Sequence, residues 1–173
     1  MIKTLLSALL LASVATPSLA LTAEDRRHNR LIETLGQAGV SVYINHPEAC
    51  DGQVLGWYNG VGKIIAICQE NVSKYNSSQI QFSNEDYDTL RHEAHHFVQD
   101  CMIGTNHDSK LKPVYEDPFQ LAKTVLGFGP MQKIYNGYKD LGKHAVVLEF
   151  EAFSVAALND VDEQIADIKN YCM

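Results

Sequence analysis

The sequence predicts an α+β fold: a small, mainly antiparallel sheet packed on one central helix, with a helical C-terminal half. Three observations predict it. Short β-branched runs cluster between residues 40 and 68, where alternation replaces helical spacing. Apolar residues recur at helical intervals on both sides of that region. Between the two halves lies a helical pattern carrying His92-Glu93-Ala94-His95-His96, a His-Glu-x-x-His motif. With 173 residues, 46 % of them hydrophobic and 20 % charged, the chain can bury the core of one ordinary globular domain.

Residues 1–20 stand outside that domain, which spans 21–173. Lys3 gives a short positive start, Leu5 to Val14 is apolar, and Thr16-Pro17-Ser18-Leu19-Ala20 ends in small residues at signal-peptidase positions. The apolar run is too short for a comfortable membrane span. Cleavage after Ala20 is expected, with export to the periplasm or medium and no stable membrane insertion afterwards.

The elements follow in order. Thr22-Ala23-Glu24-Asp25 has capping-box form, and Leu31, Ile32 and Leu35 give the helix behind it an apolar stripe that Gly36 and Gly39 end. His28 on this helix reads as a surface residue. Val40 to Ile44 is a strand, and Pro47 to Gly52 a turn. Val54 to Tyr58 and Lys63 to Cys68 are two more strands, joined through the hairpin signal Asn59-Gly60. Ile64-Ile65-Ala66-Ile67 is apolar on both faces, so it belongs at the centre of the sheet or under a helix. Trp57 and Tyr58 read as sheet packing. Ser73 to Gln81 is a polar loop.

Ser83 and Asp86 stand at capping-box spacing, so the motif helix starts near Asn84 and runs to about Met102, with Gly104 as its stop. Leu90, Ala94, Phe97, Val98 and Cys101 form its buried side, and His92, His96 and Gln99 share another. Gly104 to Tyr115, with His107 and Asp108, is a long polar connection. Asp117-Pro118 opens a helix by N-cap and N1 chemistry, and Gly127 to Pro130 closes it. A short helix with exposed tyrosines covers Pro130 to Leu141. Lys143 to Leu158 is helical, and Asp160-x-x-Glu163 begins the last helix.

Charge and cysteines narrow the function. A formal net charge of −7 with no basic run speaks against a nucleic-acid or anionic-membrane surface. Cys50, Cys68, Cys101 and Cys172 all follow the cleavage point, and an even count in an oxidising compartment implies two disulfides. Cys50 with Cys68 would staple the β region, and Cys101 with Cys172 would tie the C-terminus to the motif helix. No Cys-x-x-Cys spacing supports a cysteine metal site.

The motif carries the chemistry. Residues i and i+4 of a helix lie on one face, so His92 and His96 can reach one divalent cation, and Glu93 projects beside its open side. Zinc accepts nitrogen ligands in four-coordinate geometry, and three protein ligands leave room for a water. His95 lies roughly a hundred degrees from His96 and is an improbable ligand. Glu149 and Glu151 sit in the apolar run Val146 to Phe153, where a buried carboxylate needs a partner such as a metal. On the residues alone either can be the third ligand.

His92-Glu93-x-x-His96 followed by Glu149-Phe150-Glu151-Ala152 resembles the gluzincin branch of zinc metallopeptidases. The resemblance covers the motif helix and the late helix. It implies a zincin-like fold and a third ligand on the later helix; Glu149 is favoured, with Glu151 in reserve. It also implies one Zn²⁺ per chain, a peptide or protein substrate, and Glu93 as general base. Families of this branch often place Asp after the Ala to brace a ligand histidine, and here that residue is Phe153. Tyr115, Tyr135, Tyr138, His107 and His144 are all open as oxyanion-stabilising groups. The rival readings are an exported zinc-binding protein without activity, and a disulfide-stabilised partner-binding domain.

Overall fold

The computed structural model describes residues 22–46, 48–50, 54–69, 82–104, 110–158 and 160–173. The leader, the Ser73 to Gln81 loop, and His107 with Asp108 lie outside the described residues. Helix α1 (Ala23–Gln37) opens on the capping box, with the Asp25 amide donating to Thr22 Oγ1 at 3.0 Å and the Thr22 amide to Asp25 Oδ2 at 2.6 Å. It buries Leu31 and Leu35 completely, passes through Gly36, and is followed by Gly39 in a left-handed conformation (φ 86°). His28 is a correction to the sequence reading. It is buried, not on the surface, stacked on Tyr87 at 4.0 Å and accepting from Arg91 at Nε2 over 2.6 Å.

Strands β1 (Ser41–Ile44), β2 (Gly56–Asn59) and β3 (Ile64–Ile67) form a sheet in the order β1-β3-β2. β3 pairs antiparallel with β2 and parallel with β1, so the sheet is mixed, not mainly antiparallel. β3 is the middle strand. Ile65, Ala66 and Ile67 are fully buried, which demands cover on both faces and the central position. β2 takes one side through the hairpin, and β1 pairs on the other side, in the parallel sense. The hairpin turn spans Gly60 to Lys63, longer than the Asn-Gly pair alone. The Asn59 side chain accepts from the Gly62 amide at 2.7 Å, and Lys63 adopts φ 49°. The Cys50–Cys68 disulfide clips the β1–β2 connection to the end of β3.

Helix α2 (Asn84–Cys101) starts at the Ser83–Asp86 capping box and is the centre of the molecule. Nearly every residue from Asp86 to Asp100 is buried, because α1, the sheet, and helices α5 (Lys143–Leu158) and α6 (Val161–Cys172) surround it. Leu90, Phe97 and Val98 join Leu31, Leu35, Ile65, Ile67 and Ile168 in the main core. Tyr58 packs on Phe97 and donates to Asp100 Oδ2 at 2.6 Å, whereas Trp57 is half-exposed. A buried helix must partner its polar residues internally, and those partners build the site.

The remaining helices are α3 (Pro118–Val125), capped by Asp117 with Pro118 at its start, and α4 (Phe128–Tyr138). Gly127, at φ 74°, separates them, and a 3-10 turn (Lys139–Leu141) follows α4. Ala122, Met131, Ile134, Val146 and Phe150 make a second core under α3, α4 and α5. Of the tyrosines expected to be exposed on α4, Tyr135 is and Tyr138 is half-buried. Asp160 caps α6, accepting from the Glu163 amide at 3.0 Å. Cys101–Cys172 joins the ends of α2 and α6, so both disulfides take the pairing preferred from the sequence. Among the described residues no helix is long and apolar enough to cross a membrane.

Candidate metal centre

One turn of α2 separates His92 from His96, and both rings turn their Nε2 atoms to a common point, 3.0 Å apart. From α5, Glu149 brings Oε2 to 3.3 Å from His92 Nε2 and Oε1 to 3.4 Å from His96 Nε2. Two imidazoles and one carboxylate thus form a triangle with edges near 3 Å. Zinc–ligand bonds of about 2.0–2.1 Å at tetrahedral angles give ligand–ligand separations of about 3.3–3.4 Å, so the spacing suits a small divalent cation. Glu149 Oε2 is buried and has no hydrogen-bond donor among the described residues, which a cation would compensate. His92, His96 and Glu149 can therefore hold a metal ion.

The charges of the cluster are coupled. Burial disfavours ionised Glu149, but His92 and His96 beside it outweigh this and hold its carboxyl near 2. Burial likewise disfavours charge on His96, and Glu149 and Glu93 reverse that and push the ring up to about 9. A neighbourhood that retains a proton on a buried imidazole is one that attracts positive charge.

Hydrogen bonds fix which nitrogen of His96 carries its hydrogen in the neutral ring. Gln99 Nε2 donates to the Leu148 carbonyl at 3.1 Å and to Glu151 Oε1 at 3.0 Å. Since a carbonyl can only accept, this orients the amide and turns Gln99 Oε1 to His96 Nδ1 at 2.8 Å. Nδ1 must then donate, and Nε2 presents its lone pair to the metal point. His92 lacks such a brace. Its Nδ1 is buried without a partner among the described residues, and Phe153 packs on its ring at 4.3 Å.

Glu151, the reserve ligand, is placed elsewhere. It is fully buried and accepts from His95 Nε2 at 2.8 Å, from Gln99, and from the Val114 and Tyr115 amides, each at 2.9 Å. Its four hydrogen bonds tie the 110–116 segment to α2 and α5 and leave it away from the triangle. His95 faces this carboxylate and is outside the triangle, in keeping with its angular offset from His96 on the helix. Burial lowers its affinity for a proton, only partly offset by Glu151.

Glu93 follows His92 on α2 and is buried beside it. It lines a cleft of about 520 Å³ together with Gly56, His92, Tyr138 and Phe153. Burial raises its proton affinity and the Glu149 charge adds to this, against the pull of the two histidines. Gly56 makes the approach of β2 possible: a Cβ there would stand 2.8 Å from Glu93 Oε1 and overlap the Thr89 methyl. Of the open oxyanion candidates within the described residues, Tyr138 alone lines this cleft. Burial, reinforced by the neighbouring Glu149, keeps its phenol protonated. Tyr115 lies on the His95 side, Tyr135 is exposed on α4, and His144 bonds the Leu111 carbonyl. The sequence pattern places Gln99 on the histidine face without assigning it a role, and its spacing of three from His96 is the available signal.

No curated protein and no solved structure matches the chain. A family model described as Domain of unknown function (DUF8637) matches residues 20–173, nearly the whole sequence, and the chain belongs to that family.

Proposed function

We propose that this chain is an exported zinc metallopeptidase. The observation that carries the reading is the His92–His96–Glu149 triangle, whose His92 lines, together with Glu93, a cleft of about 520 Å³. Two nitrogens and one carboxylate form a ligand set that zinc favours and that leaves a position free. Bound there, zinc supplies acidification of a water and polarisation of a scissile carbonyl. Glu93 would accept a proton from the attacking water and pass it to the leaving amine; its raised proton affinity suits a group that must both accept and release. Tyr138, still protonated and facing the same cleft, donates to the oxygen on which negative charge develops. Two disulfides suit an oxidising compartment and support export.

The unbraced Nδ1 of His92 favours a second reading, a metal-binding protein without turnover. One experiment separates them. The mature oxidised protein is assayed for zinc and for cleavage of a mixed peptide library, beside Glu93→Gln. Zinc near one per chain with cleavage that Glu93→Gln abolishes supports the peptidase. Zinc with no Glu93-dependent cleavage favours the inert metal protein, and no zinc ends both readings.

A further inference from the structure

Helices α3, α4 and α5 enclose a second hollow of about 650 Å³ that shares no lining residue with the Glu93 cleft. Met131, Val146 and Phe150 form its floor, all part of the second core. Phe119 and Phe128 stand at its rim, 53 % and 72 % exposed. Aromatic side chains left in water around a concave apolar floor mark a binding site more often than a bare surface.

Charge identifies the occupant. Lys139 and Lys143 line the same hollow, and neither has a carboxylate within ion-pair distance among the described residues. Lys123 Nζ lies 6.0 Å from the Phe128 ring. From residue 118 to 143 the chain carries Lys123, Lys133, Lys139 and Lys143 against one acid, Asp140, although its formal net charge is −7. Screening confines electrostatics to about 8 Å at physiological salt, so a ligand in the hollow meets the lysines and not the global charge. A broad anionic bilayer would meet both. A peptide occupant would need partners for its backbone amides, and Gln132 is the lone amide side chain in the lining. An alkyl chain needs none.

We propose that this hollow binds a single-chain anionic amphiphile, a long-chain carboxylate. Its alkyl chain lies between Phe119, Phe128 and Phe150, and its head group pairs with Lys139 and Lys143. α5 carries the hollow's floor on Val146 and Phe150 and the metal triangle's carboxylate on Glu149, so the two sites are built on one helix.

The test is calorimetric titration of laurate, below its micellar concentration, into the full mature protein with both disulfides intact. The expected result is saturable binding at one per chain. Lys139→Glu/Lys143→Glu should weaken it at least tenfold. So should Phe119→Ser/Phe128→Ser, and because all four side chains are exposed, circular dichroism should remain that of the parent. Absence of saturable binding overturns the proposal, as does unchanged affinity in the lysine variant. Retention on phosphatidylglycerol vesicles without laurate binding assigns the patch to a bilayer surface and also overturns it.

Discussion

Gln99 Oε1 accepts from His96 Nδ1 at 2.8 Å, while the amide of the same side chain is held by the Leu148 carbonyl and Glu151. One glutamine therefore connects the backbone of α5 to the tautomer of a histidine of the candidate metal triangle on α2. The direction of every donor in this chain follows from the Leu148 carbonyl, which can only accept.

Replacing Gln99 by Leu should remove the hydrogen bond that holds the His96 lone pair at the metal point. Partners of this kind contribute roughly 10–100-fold to metal affinity. Competition titration of zinc against a chromophoric chelator should show a loss in that range. An unchanged affinity would mean that packing alone orients His96.

The two glutamates of α5 should fail in different ways. Glu149→Ala should abolish zinc binding and leave chelator-treated protein close to parental stability. Glu151→Ala leaves His95, Gln99 and two backbone amides without their acceptor, and breaking a buried set of this type costs about 3–5 kcal/mol. Zinc stoichiometry and denaturant unfolding with chelator measure the two effects separately. Equal loss of zinc with no loss of stability in Glu151→Ala would contradict the assignment.

Gly56→Ala tests the close approach of β2 to the motif helix. The added methyl meets Glu93 Oε1 and the Thr89 side chain, so β2 or Glu93 must move. Overpacking of this size costs about 1–3 kcal/mol. Urea unfolding should show that loss, and peptide cleavage should fall with it because Glu93 is displaced. Parental stability would mean that β2 can withdraw at no cost.

His28 gives the fold a sensitivity to acid. Its Nδ1 donates to the Glu24 carbonyl at 3.0 Å and its Nε2 accepts from Arg91, so the ring is held neutral. Burial lowers its proton affinity below the usual histidine value of about 6.5, and the Arg91 charge acts the same way, against the Glu24 carbonyl and carboxylate. Between the lowered folded value and 6.5 the unfolded chain binds the extra proton. The contribution is therefore complete above pH 6.5 and is lost as pH falls through the folded value. Denaturant midpoints at pH 7.5 and 5.5, with chelator present, should differ less in His28→Gln than in the parent.

Much of this molecule is written in interactions that span four residues or fewer. The capping boxes at Thr22 and Ser83, the Asp117-Pro118 and Asp160 helix starts and the i, i+4 pair His92 and His96 are such features, and each was readable without a partner in space. The four unbroken apolar residues of β3 likewise fixed its central place. What only tertiary structure decided depends on how separate elements are turned against one another. Glu149 and Glu151 are about 200° apart on a helix, so one rotation of α5 against α2 sends Glu149 to His92 and His96 and Glu151 to His95 and Gln99. His28 is buried because Arg91 and Tyr87 close over it from another helix, and β1 pairs, in the parallel sense, with the edge of β3 that β2 leaves free. Local chemistry set which residues could act; burial from all sides of α2 set which of them meet.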